Sequence, residues 1–234
     1  MQELGEETVA KLLVFDTETG GIDPQFHSIL SLGAVVWEDG SILDEIEVPI
    51  AEASILATPE ALAVNKINLD EHKRMGCAPA DAMIRFQAFL TKNFSDSSVT
   101  NKICLAAHNA DFDIGFLKRF YRLANVDYES VFSHRVIDTI SIIRFLNLAK
   151  KLTLRDAGLS EAIKYFGIEV AEADRHTAKG DAKATAQVLT KLIKTVYPDF
   201  AGSQRGKTLT HPHFPPRLLR MHKIARARLF RARV

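Results

Sequence analysis

Cysteine is scarce in this chain. Cys77 and Cys104 are the only two among 234 residues, and they lack a C-x-x-C spacing. That argues against a disulfide framework and against a thiolate metal site. Two plain thiols in a reducing compartment are the expectation. No apolar run approaches the roughly 18 residues that a membrane span requires. Glu3, Glu6 and Glu7 stand where a signal peptide carries positive charge. A cytoplasmic protein with no membrane contact is therefore expected. The body has no internal repeat and no low-complexity tract. Acidic residues are missing from Phe200 to Val234, which holds nine Lys and Arg, while the preceding residues hold 21 basic and 29 acidic groups. An acidic body followed by a basic tail suits a chain that meets nucleic acid.

A hydrophobic content of 47% and a charged content of 25% are those of a globular domain. Leu12-Leu13-Val14-Phe15 is a short apolar run that reads as a buried strand. Ile29 to Val36 and Ile42 to Ile50 read as two more, with Asp39-Gly40 as a hairpin turn between them. Thr58 followed by Pro59 predicts a helix start. Helical spacing recurs over 79–90, with Met83, Phe86 and Leu90 apolar. Ile103 to Ala107 is a further strand, followed by a helix over 113–124. A short strand at Val136-Ile137 leads into a helix to about Ala149. The spacing predicts helices over 154–166, stopped by Gly167, and over 181–197, stopped by Pro198. A strand meander followed by alternating strands and helices implies an α/β fold with a mixed sheet flanked by helices.

Three segments concentrate acidic residues in an unusual way. The first is Asp16-Thr17-Glu18-Thr19-Gly20-Gly21, at the end of a strand. Residues two apart point to one face, so Asp16 and Glu18 can reach a common metal while Thr17 points away. The two glycines are expected to let the backbone turn sharply. The second is His108-Asn109-Ala110-Asp111-Phe112-Asp113. Asp113 shares a helix face with Phe116, Leu117 and Phe120, the side that faces a core. A carboxylate there needs a cation, or else free helix amides to satisfy it. The third is His176 and Asp181, five residues apart. That spacing is about 140° around a helix, so His176 is expected on a loop before a helix that Asp181 opens. Four carboxylates without a matching cation call for divalent metal.

In this order, the segments resemble the three sequence motifs of the DEDDh 3′→5′ exonucleases, the superfamily of the proofreading subunit of bacterial DNA polymerase III. The resemblance covers roughly residues 10–197. It implies a ribonuclease H-like fold, an exonuclease domain over 1–198 and a basic tail over 199–234. It also implies two divalent ions, Mg2+ or Mn2+, held by Asp16, Glu18, Asp113 and Asp181. His176 would be the general base, and the products would be nucleoside 5′-monophosphates. The wording around His108 and Phe112 is similar to the polymerase III ε type, and the segment Pro59 to Ala63 resembles ribonuclease T. A single-stranded or frayed 3′ end of DNA is the favoured substrate, with RNA 3′-end trimming as the alternative. A non-catalytic nucleic-acid-binding module associated with a polymerase is a third reading, and a DNA polymerase subunit is an expected partner.

On the substrate side, Val64 or Ile67 is expected to wedge against the terminal base and Asn65 to bind sugar or phosphate. Thr17 and Thr19 join that set, and His108 and Asn109 are expected as substrate-side or structural polar residues. Asp138 is expected to cap a helix rather than take part in chemistry. The tail has three readings: an arm on nucleic acid, a docking segment for a polymerase, or a passive extension.

Overall fold

The computed structural model describes residues 11–95 and 102–200. The basic tail from residue 201 onwards lies outside the described residues. Five strands form one sheet: β1 (Lys11–Thr19), β2 (Ile29–Glu38), β3 (Ser41–Pro49), β4 (Ile103–Ala107) and β5 (Phe132–Asp138). Their spatial order is β3-β2-β1-β4-β5. The meander β1-β2-β3 is antiparallel, whereas β4 and β5 run parallel to β1. Among the described residues, seven α-helices accompany it: α1 (Pro59–Asn65), α2 (Leu69–Met75), α3 (Pro79–Phe94), α4 (Ala110–Leu123), α5 (Thr139–Leu148), α6 (Leu159–Phe166) and α7 (Ala178–Val196). This is the expected mixed sheet of a ribonuclease H-like fold.

The apolar runs of β1 and β2 do not alternate because both faces of the central sheet are covered. Leu13 and Phe15 join one core with Met83 and Phe86 of α3 and Phe116 and Phe120 of α4. Leu12 and Val14 face the other way, onto Ala182, Ala186 and Leu189 of α7. Behind α7, a third cluster joins Ile143 and Leu146 of α5 to Val188 and Leu192. Asp39 and Gly40 both take positive φ, 47° and 85°, as a tight hairpin turn requires. Thr58 caps α1, accepting from the Ala61 amide at 3.2 Å.

Several boundaries differ from the sequence-based expectation. Helix α4 begins three residues early, at Ala110, so Asp113 is its fourth residue and not its first. Helix α7 also begins three residues early, with Thr177 as its cap. Helix α6 begins five residues late, because Leu152 and Leu154 are buried from an extended loop pinned by Asn147. The Asn147 amide donates to Leu154 O at 3.1 Å, and its oxygen accepts from Leu154 N at 3.2 Å. Val196, the last residue of α7, is 69% exposed. Strand β5 is longer than expected, and α2 carries no apolar stripe that would reveal it.

Gly33 decides how closely α7 lies on the sheet. It pairs with Asp16 across β1 and β2. A Cβ at this position would stand 2.0 Å from Ala178 C and 2.1 Å from Lys179 N. Gly33→Ala should therefore push the start of α7 off the sheet, costing on the order of 1–3 kcal/mol as over-packing does. Urea unfolding at constant m would measure it. An unchanged midpoint would show that α7 can yield at no cost.

Candidate active site

The site forms where β1 outruns its neighbour. Strand β4 pairs with β1 only through Leu12–Val14, so Asp16 to Thr19 project beyond it on that side. Asp113 takes up the strand edge thus exposed. Its Oδ1 accepts from Thr17 N at 2.9 Å and from Thr17 Oγ1 at 2.8 Å. The side chain is buried. Neither free helix amides nor metal alone accounts for Asp113: one of its oxygens completes the ladder of β1.

Asp16 and Glu18 lie on the opposite face of β1, toward α7. With Asp181 of the first turn of α7, they offer carboxylate oxygens that all lie within 4.8 Å of one another. Asp113 falls outside that mutual radius and approaches from the α4 side. Crowding and burial oppose ionisation here. Burial, then Asp181 and Asp113, push Glu18 up to about 8. Burial, then Asp113, Glu18 and Asp181, raise Asp16 well above the carboxylate range. Burial raises Asp113 to about 7 despite its hydrogen bonds from Thr17. Asp181 is raised by burial, an effect that Arg175 opposes. Such a set of hard oxygen ligands with raised affinity for protons fits a divalent cation.

Asp16, Thr17, Glu18, Thr19, Val64, Asn65, His176 and Asp181 line one cavity of about 280 Å³, together with Ile22 and Phe112. His176 sits on the expected loop, ahead of the cap Thr177, with φ at 61°. A left-handed backbone at a non-glycine residue is held by its surroundings. Here Thr177 Oγ1 accepts from Gly180 N and donates to Asp174 O, both at 3.0 Å.

The polar residues assigned to substrate are mostly engaged within the protein. Thr17 donates to Asp113, and Thr19 Oγ1 donates to Gly21 O at 2.8 Å. Asn65 Nδ2 donates to Thr19 O at 3.0 Å, and its Oδ1 accepts from Ile67 N at 3.1 Å. Asn65 thus fixes α1 to the end of β1. Val64 is 65% exposed at the cavity mouth. His108 and Asn109 do not line this cavity. The chain turns at Asn109, φ 68°, into α4. His108 Nδ1 lies 2.9 Å from Thr139 Oγ1, and burial pushes the imidazole down.

A family model described as exonuclease, that of ribonuclease T, matches residues 13–189. The chain belongs to the exonuclease family. Its motif order is that of the DEDDh 3′→5′ branch, and the domain is a phosphodiester hydrolase. The chain is 31% identical over 186 residues to a PolC-type DNA polymerase III of Oceanobacillus iheyensis, covering 78% of this chain and 11% of that protein. A Listeria monocytogenes protein of the same name is 31% identical over 186 residues, with 79% and 11% covered. This chain therefore spans about a tenth of the length of the curated relatives it matches. Escherichia coli exonuclease I in complex with a dT13 oligonucleotide superposes with a TM-score of 0.67 at 20% identity, over 81% of this chain and 42% of that one. The match to exonuclease I is one of fold.

Four features of this exonuclease domain escaped the sequence reading. Arg175 forms an ion pair with Asp181 at 3.3 Å and donates to Ser160 Oγ at 2.9 Å. Among the described residues it is the one cation paired with any of the four acids. Its position beside His176 in sequence was the available signal. Asp138 stands at the N-cap position of α5, yet its Oδ1 accepts from the amides of Asn109 at 2.9 Å and Ala110 at 3.3 Å. It steadies the start of α4, and so Asp113. Arg119 makes a bidentate pair with Glu52 and donates to Pro24 O and Gln25 O, holding the loop after β1. Finally, Gly20 and Gly21 have no positive φ. They are needed for close approach, a Cβ meeting Leu56 O at 2.2 Å and the His27 ring at 2.4 Å respectively.

With chelator present, the raised acids make stability fall as pH rises. Between the unfolded values near 4 and folded values of about 7 for Asp113 and 8 for Glu18, the folded chain binds more protons than the unfolded one. Stability is thus fully present below about pH 4 as far as these groups are concerned, and lost through pH 8. Asp113→Asn keeps an acceptor for Thr17 and removes the charge, so it should flatten that slope while abolishing cleavage. Melting temperature against pH, beside a nuclease assay, checks both. A wild-type profile that is flat from pH 5 to 8 would contradict the charge account.

Proposed function

We propose that this domain hydrolyses DNA from the 3′ end, one nucleoside 5′-monophosphate at a time, in proofreading or repair. The observation that carries this reading is the convergence of Asp16, Glu18 and Asp181 within one cavity whose wall also holds His176. Two divalent ions, Mg2+ or Mn2+, would be held by Asp16, Glu18, Asp113 and Asp181. When bound, they supply charge stabilisation for the phosphoryl group and an activated water.

The chain's own residues do the rest. His176, held on its left-handed loop, is the general base that takes the proton of the attacking water. Asp113 and Asp16 are set on opposite faces of β1, so the cluster is approached from two sides by rigid elements. Val64, Ile22 and Phe112 give the cavity apolar walls against which a terminal base can rest. A cavity of about 280 Å³ suits the terminal nucleotide of one strand. This favours a single-stranded or frayed 3′ end. The PolC-type relatives favour DNA and a polymerase as partner, and cytoplasmic placement agrees with that role. No described helix is long and apolar enough to cross a membrane.

His176→Ala should lower kcat by roughly two to four orders of magnitude, the usual worth of a positioned base. KM should change little, because a base acts mainly in the transition state. Degradation of one labelled sequence should rank single-stranded DNA and mismatched duplex above matched duplex and RNA. Faster turnover of RNA would replace the DNA reading by RNA 3′-end trimming. Loss of binding with kcat retained would assign His176 to substrate grip.

A further inference from the structure

Helix α5 presents an outward face that the catalytic site does not use. Ser141, Arg144, Phe145 and Leu148 are spaced i, i+3, i+4 and i+7, so they share one side of the helix, and all four are exposed. Phe145 is 66% and Leu148 is 84% exposed. Ile143 and Leu146, on the opposite side, are buried against α7. Lys150 and Lys151 follow directly, both exposed, and Arg155 lies beyond them. From Thr139 to Arg155 there is no acidic residue, in a body whose acids outnumber its bases. Among the described residues, none of Arg144, Lys150, Lys151 and Arg155 belongs to an ion pair. The lysines are also held in place. Their loop is fixed by the two Asn147 hydrogen bonds to Leu154 and by the burial of Leu152 and Leu154.

We propose that this face, Arg144, Phe145 and Leu148 with Lys150 and Lys151, is a second contact for single-stranded nucleic acid, holding the strand away from the catalytic cavity. The inference rests on the proposed nucleic-acid substrate. Unpaired cations beside an exposed aromatic are what a single strand requires: charge for the phosphates and a ring on which one base stacks. The apolar part consists of two side chains, far short of a stable protein interface of 1,000 Å² or more. Its location fits a strand that ends in the cavity. Strands β1, β4 and β5 are parallel, so α5 starts at Thr139 from the sheet end that carries the carboxylates. The helix then runs about 15 Å away from that end, at 1.5 Å per residue. A terminal nucleotide in the cavity and a strand lying along α5 would therefore start from the same end of the sheet.

The test uses the full chain, so that the basic tail is constant, and compares wild type with Phe145→Ala and with Arg144→Gln/Lys150→Gln/Lys151→Gln. All four positions are exposed, and a thermal melt checks that the fold is kept. Anisotropy with a labelled oligothymidylate of about 20 nucleotides gives affinity against salt. The triple variant should flatten the log–log slope by about 2 units, three phosphates at roughly 0.7 each. Phe145→Ala should weaken binding roughly tenfold and leave the slope unchanged. Turnover of a dinucleotide, the shortest substrate with a bond to cleave, should match wild type in both. Wild-type affinity and slope in both variants would overturn the inference and leave the face to a protein partner. Binding that follows these expectations in a protein that cleaves neither substrate would sink the proposed function and leave this surface standing.

Discussion

Mutual repulsion among four carboxylates is the constraint around which this domain is built. Asp16, Glu18 and Asp181 are held with oxygens within 4.8 Å of one another, and Asp113 comes in from beneath β1. Left to themselves, such groups would separate into water. They stay because each sits on an element that cannot move independently. Asp16 and Glu18 are in the central strand, with packed helices on both faces. Asp181 is carried by α7, which Gly33 allows to lie directly on the sheet. Asp113 is tied to Thr17, and the helix that bears it is anchored at its start by Asp138. Burial is the first cause of the raised proton affinities of Asp16, Glu18 and Asp113, and the neighbouring acids of the cluster add to it at Asp16 and Glu18.

Charge that the protein does not neutralise is what gives the site its appetite for cations. Arg175 offsets part of it through Asp181 and leaves the other three acids uncompensated. The buried Arg119–Glu52 pair plays a different part, fixing the loop after β1 at a distance from the acids. A buried pair of this kind adds little net stability but specifies one arrangement of the backbone. The domain thus keeps its cations at its supports and reserves its centre for oxygen ligands.

The legible part of the fold was whatever leaves a local pattern. The β1 to β3 runs, the Asp39-Gly40 turn and the Thr58-Pro59 cap all announce themselves in a few residues. Each acidic motif alone also has a structural use, and they were legible because all three occur together, in the order of a known family. Non-local partnerships were not legible. Nothing in the sequence near Asp113 says that Thr17, 96 residues away, will occupy one of its oxygens. Nothing near Asp138 says that its carboxylate serves the start of α4 across the sheet edge and makes no cap bond to the amides of its own helix. The close seating of Ala178 on the sheet depends on Gly33 in another strand. His108 and Asn109 looked available for substrate because they follow a strand, yet the direction of the turn at Asn109 is a property of the folded backbone.

The central claim is that the carboxylate cluster holds protons that a divalent ion must displace. Calorimetric titration of Mn2+ into the full chain, repeated in buffers of different ionisation enthalpy, measures those protons directly. With Glu18 at about 8 and Asp113 at about 7, binding at pH 7 should release on the order of one proton, and at pH 9.5 clearly fewer. Tight binding at pH 7 with no proton release would contradict the account, because it would mean that the four acids are already ionised and at ease in the fold.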